Sequence, residues 1–378
     1  MSEYQYYEFQ AVDRPLSAED RQALRRLSTR ARITATSFTN SYEWGDFKGD
    51  PVELMQRWFD LHVYVANWGT RRLMIRLPKR LVDQQRLDDF LGEVDCVELT
   101  ASGENLILDV LPEETEPEDD WDDGTGWLAA FAPLRADILA GDLRLFYLLW
   151  LTAVEADALP SDAVEPLPGI GPMTGAIEAL TEFLRLDDDL VAAAAECSPA
   201  DETVSTDAAR HIISTLPDRE KTGLLIRLAE GDPHVRSELQ ALIRNRSASA
   251  SHVEPVIVAR RTVGELRARA EAIRDARERA EAERVAAERK RQAEEEAHAR
   301  RLRLDAIEQR GGKVWQEIET EIDRGNASAY DRAAGLLADL KAIAEKRGTM
   351  EEFGRRLSGI RERHARRARF IERLVAFG

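Results

Sequence analysis

The chain has 378 residues, 43% of them hydrophobic, and a formal charge of -17, which allows two or three domains with real cores and excludes a chain disordered throughout. The charge is uneven: residues 1–205 hold 40 acidic and 17 basic side chains, residues 206–378 hold 30 and 36, so the halves carry opposite net charge. Two cysteines, Cys96 and Cys197, exclude a disulfide framework and fit a reducing compartment. No basic, apolar leader opens the chain, and the greasiest stretch, Leu143 to Val154, falls short of the roughly 20 residues of a membrane span, so a cytoplasmic protein with no membrane partner is expected.

Residues 1–112 read as an α+β domain. Tyr4 to Val12 is rich in aromatic residues and reads as a strand, after which Ser17, three residues ahead of Asp20, starts a helix. Arg32 to Asn40 alternates as a single strand, Asp50-Pro51 opens a second helix, and two strands flank the turn Trp68-Gly69-Thr70. Two more flank Ala101-Ser102-Gly103-Glu104, for a mixed sheet of about six strands with two or three helices. Residues 113–126 are acidic, carry Pro and Gly and lack apolar periodicity, as a linker does. From 127 to 246 the period becomes helical, with short spacers that fit a compact helical domain. The small residues Ser247 to Ser251 mark a hinge over 247–261. The whole is therefore multidomain, α+β followed by all-α.

Residues 262–310 form a long charged helix, free of Gly and Pro from Glu265 to Arg310, about 70 Å at 1.5 Å per residue. Its best heptad seam is Leu266, Ile273, Ala280 and Ala287, which ends in Glu294 and Arg301. Such a seam buries little area, so the span reads either as a solvated spacer or as a loose coiled coil giving weak homodimerisation. Support comes from i,i+4 pairs such as Arg277 with Glu281, Arg284 with Glu288 and Arg291 with Glu295. Gly311-Gly312 breaks the helix, and residues 311–378 form a terminal helical docking unit. Its expected core is Trp315, Leu336, Leu337, Leu340, Ile343, Phe353, Leu357 and Ile360, with a capping box at Thr349 and Glu352.

Leu167 to Ala176, LPGIGPMTGA, resembles the hairpin of helix-hairpin-helix DNA-binding domains, whose Gly-x-Gly turn offers backbone N–H groups to a phosphate. Met173 stands where that family places a cation, and acids follow, so an interhelical Pro-Gly turn is the stronger expectation. Asp187 to Asp189 read as a helix N-cap with an acidic first turn. The histidines have no Cys, His or carboxylate partner at ligand spacing, so no metal, cofactor or catalytic set is expected. The two Trp-Gly turns and the strand around Trp44, Lys48, His62, Trp68, Arg71 and Arg72 form a polar-aromatic cluster where a peptide or ligand would sit, although hairpin turns packed by their own aromatics, with His62 in an edge-strand or core role, are the commoner arrangement. The last helices carry Arg355, Arg356, Arg363, Arg366, Arg367 and Arg369, a basic face for an acidic protein partner or a nucleic acid.

From Thr262 onward, a charged Ala/Arg/Glu helix, then Trp315, then AYDRAAGLLADLKAIAEKRG and RERHARR, resembles the C-terminal segment of uncharacterised bacterial proteins, some with SWIM-type zinc fingers. The front portion, with YEFQAVDRPL and SYEWGDFKGDP, looks like a bacterial family with no established activity. The SWIM Cys and His ligands are missing, so zinc does not carry over. The resemblance implies a bacterial setting and a modular C-terminal tail. The expected function is a non-enzymatic adaptor or scaffold that positions protein partners. Its alternatives are an accessory subunit of a nucleic-acid-associated complex, a defence-related one included, and an enzyme with its site on the N-terminal sheet.

Overall fold

The computed structural model describes residues 3–45, 47–114, 122–198, 206–250 and 260–377. Residues 115–121 of the expected acidic linker and residues 251–259 of the expected hinge lie outside the described residues. By compactness the chain forms two units, Met1–Ala276 and Arg277–Gly378.

The first unit begins with β1 (Gln5–Gln10) and α1 (Ala18–Leu27). Ser17 Oγ accepts from Asp20 N at 3.0 Å and Asp20 Oδ2 accepts from Ser17 N at 2.9 Å, a reciprocal cap that satisfies two otherwise orphaned donors. The stretch expected as one strand is a hairpin of β2 (Arg32–Ile33) and β3 (Ser37–Tyr42), folded where Thr34 N donates to Ser37 O at 2.9 Å and the two hydroxyls meet at 2.7 Å. Thr at a turn bonds its own backbone neighbourhood and so competes with strand continuation. Asp50 then caps α2 (Pro51–Arg57), as its position before Pro51 dictates. β4 (Leu61–Ala66), β5 (Arg71–Pro78), α3 (Gln84–Leu91), β6 (Val97–Ser102) and β7 (Asn105–Val110) complete the α+β part.

The strands form one antiparallel seven-stranded sheet in the order β2-β3-β1-β4-β5-β7-β6. Alternation divides its side chains between two faces. Phe9, Phe38 and Met74 meet Leu24, Leu54 and Met55 of α1 and α2 on one face. On the other, Leu61, Val63, Leu73, Ile75 and Leu108 meet α3 and the helices that follow. Those are α4 (Trp127–Leu139), α5 (Arg144–Glu155), α6 (Gly175–Leu184) and α7 (Asp188–Ala195). Phe131, Phe146, Leu149 and Phe183 belong to the same core as the sheet, so segment 1–112 and helices α4 to α7 share a hydrophobic interior. Asp187 Oδ1 accepts from Asp189 N and Leu190 N at 3.0 and 2.9 Å, the expected cap of α7. α8 (Thr206–Thr215), α9 (Asp218–Ala229) and α10 (Val235–Ala250) follow. Ser247 to Ala250, expected to be a hinge, continue α10: Ser and Ala cost little in a helix, and no Gly or Pro stops it.

α11 (Val263–Arg310) is the long charged helix. Thr262 and Glu265 cap it reciprocally, Thr262 N donating to Glu265 Oε2 at 2.8 Å and Glu265 N to Thr262 Oγ1 at 3.2 Å. Val263, Leu266 and Ala270, with the partly buried Ile273, enter the core of the first unit. Just before them Arg261 meets the fully buried Glu165, Nε to Oε1 at 3.1 Å and Nη2 to Oε2 at 3.0 Å. Tyr147 OH gives Glu165 a further hydrogen bond of 2.6 Å. From Arg274 to Arg303, by contrast, every residue is exposed. Arg291 pairs with Glu295 at 3.5 Å as expected, whereas Arg284 pairs with Glu281, one turn earlier, at 2.8 Å.

The second unit takes the end of α11 and adds α12 (Lys313–Arg324), α13 (Ala327–Arg347), α14 (Met350–Arg363) and α15 (Ala368–Leu374). Its core is Ile307, Val314, Ile318, Ile322, Leu337, Phe353, Leu357, Ile360 and Phe370, with Trp315, Leu336, Leu340 and Ile343 partly buried against it. Gly348 closes α13 at φ +70, a left-handed conformation that suits glycine. The expected capping box at Thr349 does not form: its φ of -107 and ψ of 29 lie outside the extended region that aims an N-cap hydroxyl at the third amide.

Candidate functional site

Three of the partly buried apolar residues of the second unit, Trp315, Leu340 and Ile343, line a surface groove of about 230 Å³. Trp315 and Phe353 lie 5.9 Å apart, centroid to centroid, with Leu340, Ile343 and Ile307 beside them. Arg356 lies over the Trp315 ring at 5.5 Å while its Nη2 reaches Glu352 Oε1 at 3.0 Å. Arg347 pairs with Glu308 at the same groove. Helical spacing explains the arrangement: Glu352 and Arg356 are one turn apart on α14, and Phe353 on the same turn sends its ring inward. The groove therefore has an apolar floor and charged walls, the chemistry that takes an apolar side chain from a polar surface.

Much of the expected basic face is already used within the unit. Arg363 pairs with Glu319. Arg367 binds Asp323 at 3.0 Å and the Ile322 carbonyl, which also accepts from the Gly325 N–H, and its charge sits favourably at the C-terminal end of α12. Arg355, Arg366 and Arg369 are exposed, and none has a partner among the described residues.

In the first unit the register sets Gln5 opposite both Tyr42 and Ala66, so the turns bearing Trp44 and Trp68 lie at the same end of the sheet, on either side of β1. Gln5 ties this end together, accepting from Tyr7 OH at 2.7 Å and donating to the Gly45 carbonyl at 3.4 Å. Trp44 is 70% exposed under Arg30 at 5.5 Å, Trp68 is at the surface, and Lys48 is exposed. Arg71 and Arg72, adjacent in β5, project to opposite faces. Arg71 donates to the Glu182 and Phe183 carbonyls at the end of α6 and to Asp122 at 3.1 Å. Arg72 grips Asp109 with two hydrogen bonds, of 2.8 and 2.5 Å. Both are tethers within the fold.

His62 is a core histidine. It is fully buried, stacked on Phe9 at 3.9 Å, and its Nδ1 lies 2.9 Å from the Glu8 carbonyl, which assigns the proton to Nδ1. Nε2 has no partner among the described residues. Burial, aided by Arg72, pushes its pKa down to about 3, so the ring stays neutral.

Sequence reasoning missed a buried charge cluster because its members are far apart in the chain. Asp60, fully buried, accepts from Val12 N and Asp13 N at 2.7 and 2.9 Å and from Arg76 Nη2 at 2.7 Å. Arg135 reaches Asp13 with both terminal nitrogens, at 2.8 and 2.7 Å, and His234 Nε2 lies 3.0 Å from Asp13 Oδ2. Burial pushes the Asp13 carboxyl up, but the hydrogen bonds from His234 and Arg135 outweigh it and hold the group well below the carboxylate range. Asp13, Arg135 and His234 edge a cavity of about 170 Å³ with Ser237. The cluster fastens the start of α10 to α4 and to the loop after β1.

The Pro-Gly stretch makes an interhelical turn. Ile170 N and Gly171 N donate to the Ala194 and Cys197 carbonyls at 3.2 and 3.1 Å, so the amides that would cradle a phosphate cap the end of α7 instead. Among the described residues no three His, Cys, Asp or Glu side chains gather as a metal site, and no helix is long and apolar enough to cross a membrane. Comparison of the chain with protein-family models, curated proteins and solved structures finds no match.

Proposed function

We propose that the protein is a non-enzymatic adaptor whose second unit docks an acidic protein partner at the Trp315–Phe353 groove. One observation carries this reading: a groove with an aromatic floor, held open by the Glu352–Arg356 and Glu308–Arg347 pairs, in the unit that also leaves Arg355, Arg366 and Arg369 unpaired among the described residues. An apolar anchor in the groove and carboxylates on those arginines would combine a desolvated centre with a charged rim. The exposed span of α11 supports the adaptor reading, since its 30 residues provide length without burying area. The proposed setting is the bacterial cytoplasm.

The test is quantitative co-purification with the full chain and with an Arg355→Glu, Arg366→Glu, Arg369→Glu variant. Loss of a stoichiometric protein in the variant supports docking; an identical set of co-purifying proteins sinks it. A nucleic acid is the second reading of the same three arginines. It predicts DNA or RNA binding that weakens steeply between about 50 and 200 mM salt and vanishes in the variant.

A further inference from the structure

α9 contributes no buried residue, although it carries Leu225, Ile226 and Leu228, which are 65%, 51% and 59% exposed. Its inward side is held by charge. Arg227 Nη2 bonds Asp232 at 2.8 Å and Glu238 at 2.6 Å, and Glu220 receives Arg246 at 3.2 Å. Since successive residues turn by about 100°, the ridge of Leu225, Ile226 and Leu228 points away from Glu220 and Arg227, into solvent. Contiguous apolar surface of this kind marks an interaction site.

The charges beside the ridge say what covers it. Arg219 and Glu230 are exposed and unpaired among the described residues, and both lie along the Ile226 edge. They are equally distant from a point between Leu224 and Leu225, and about 16 Å apart along the axis at 1.5 Å per residue. A two-fold axis between Leu224 and Leu225 that sets one α9 antiparallel to another keeps each edge on its own side and reverses its direction. Arg219 then meets Glu230 of the partner subunit, and the same pair repeats at the other end. Opposite charges at equal distances from one point, on one edge, are a self-complementary pattern.

We propose that a second copy of this chain covers the ridge, forming an antiparallel, two-fold α9–α9 contact. Stable interfaces bury about 800 Å² on each partner, more than one ridge offers, so the association is weak and concentration-dependent.

The experiment is sedimentation equilibrium of the full chain from about 1 to 500 µM, the range in which weak dimers dissociate. The wild type should show a reversible monomer–dimer equilibrium and Leu225→Glu should be monomeric with an unchanged circular dichroism spectrum. Arg219→Glu alone and Glu230→Arg alone should each weaken association by about threefold to tenfold, and the double reversal should restore it. Leu225→Cys should give a disulfide-linked dimer on mild oxidation while the wild type, with its native Cys96 and Cys197, does not. A monomer throughout the range overturns the proposal, and so does a dimer that persists in Leu225→Glu, which would place the contact elsewhere, for example on α11. A double reversal that fails to restore association, or equal cross-linking of the wild type, overturns the antiparallel register.

Discussion

α11 is stabilised in two different ways along one helix. Its first turns, from Val263 to Ile273, are rooted: apolar side chains enter the core of the first unit, and the neighbouring Arg261 is locked to the buried Glu165. From Arg274 to Arg303 nothing is buried, and beyond the pairs of Arg274 with Asp187 and Asp189 the helix rests on Ala, Arg and Glu propensity and on pairs such as Arg291–Glu295. A helix can thus be held by tertiary burial at one end and by local energetics beyond it. The two regions should respond very differently to similar changes.

The largest effect should come from Glu165→Ala. It strands Arg261 and the Tyr147 hydroxyl, which burial and then Glu165 hold well above the ordinary tyrosine range. Removing one partner of a buried pair typically costs about 3 to 5 kcal/mol, and thermal unfolding of the full chain should move down accordingly; a change within error would refute the root. Leu266→Ala, at a fully buried site, should cost about 2 to 5 kcal/mol by the lost transfer energy and the cavity left behind. If it behaved like a surface change, the boundary between root and span would have to move.

His62 carries the contrast between interior and surface into pH. Its folded pKa, about 3, lies below its ordinary value of 6.5, so the unfolded chain takes up a proton first as pH falls. Its contribution is complete above about pH 6.5 and is lost as pH falls toward 3, at up to about 1.4 kcal/mol per pH unit. Denaturant titrations between pH 7 and 4 should show this slope, and His62→Gln should flatten it; exposed His298 on α11, changed likewise, should leave it intact. The smallest effect belongs to the span. Ala287→Gly should lower local helicity by about 1 kcal/mol, seen as faster amide exchange near residue 287, while the main unfolding transition stays in place. A shift of that transition by several degrees would mean that the span is packed against something.

These contrasts also explain what could be read in advance. Ser17 with Asp20, Asp50 before Pro51, Asp187 before its helix and the Gly311-Gly312 break act over a few residues, so composition and spacing reveal them. Thr349 misled because a capping box needs an extended backbone as well as the right letters. Arg284 chose Glu281 over Glu288 because helical neighbours at three and four residues compete on nearly equal terms. Glu165 with Arg261 and the Asp13, Asp60, Arg135 and His234 cluster are pairings across long stretches of chain, with no local signature. Of the candidate site, Trp315 and Phe353 were legible only as core positions. The groove opens where Trp315 stays half-buried beside Arg347 and Arg356, over the buried Phe353, which periodicity alone does not reveal.

The exposed span of α11 is a screw as well as a length of chain. Deleting one residue from it turns the remaining helical face by about 100°, whereas deleting eighteen, five full turns, leaves that face on the same bearing. Truncations that differ by one or two residues should therefore differ sharply in activity wherever bearing matters, while a deletion of whole turns tests reach alone.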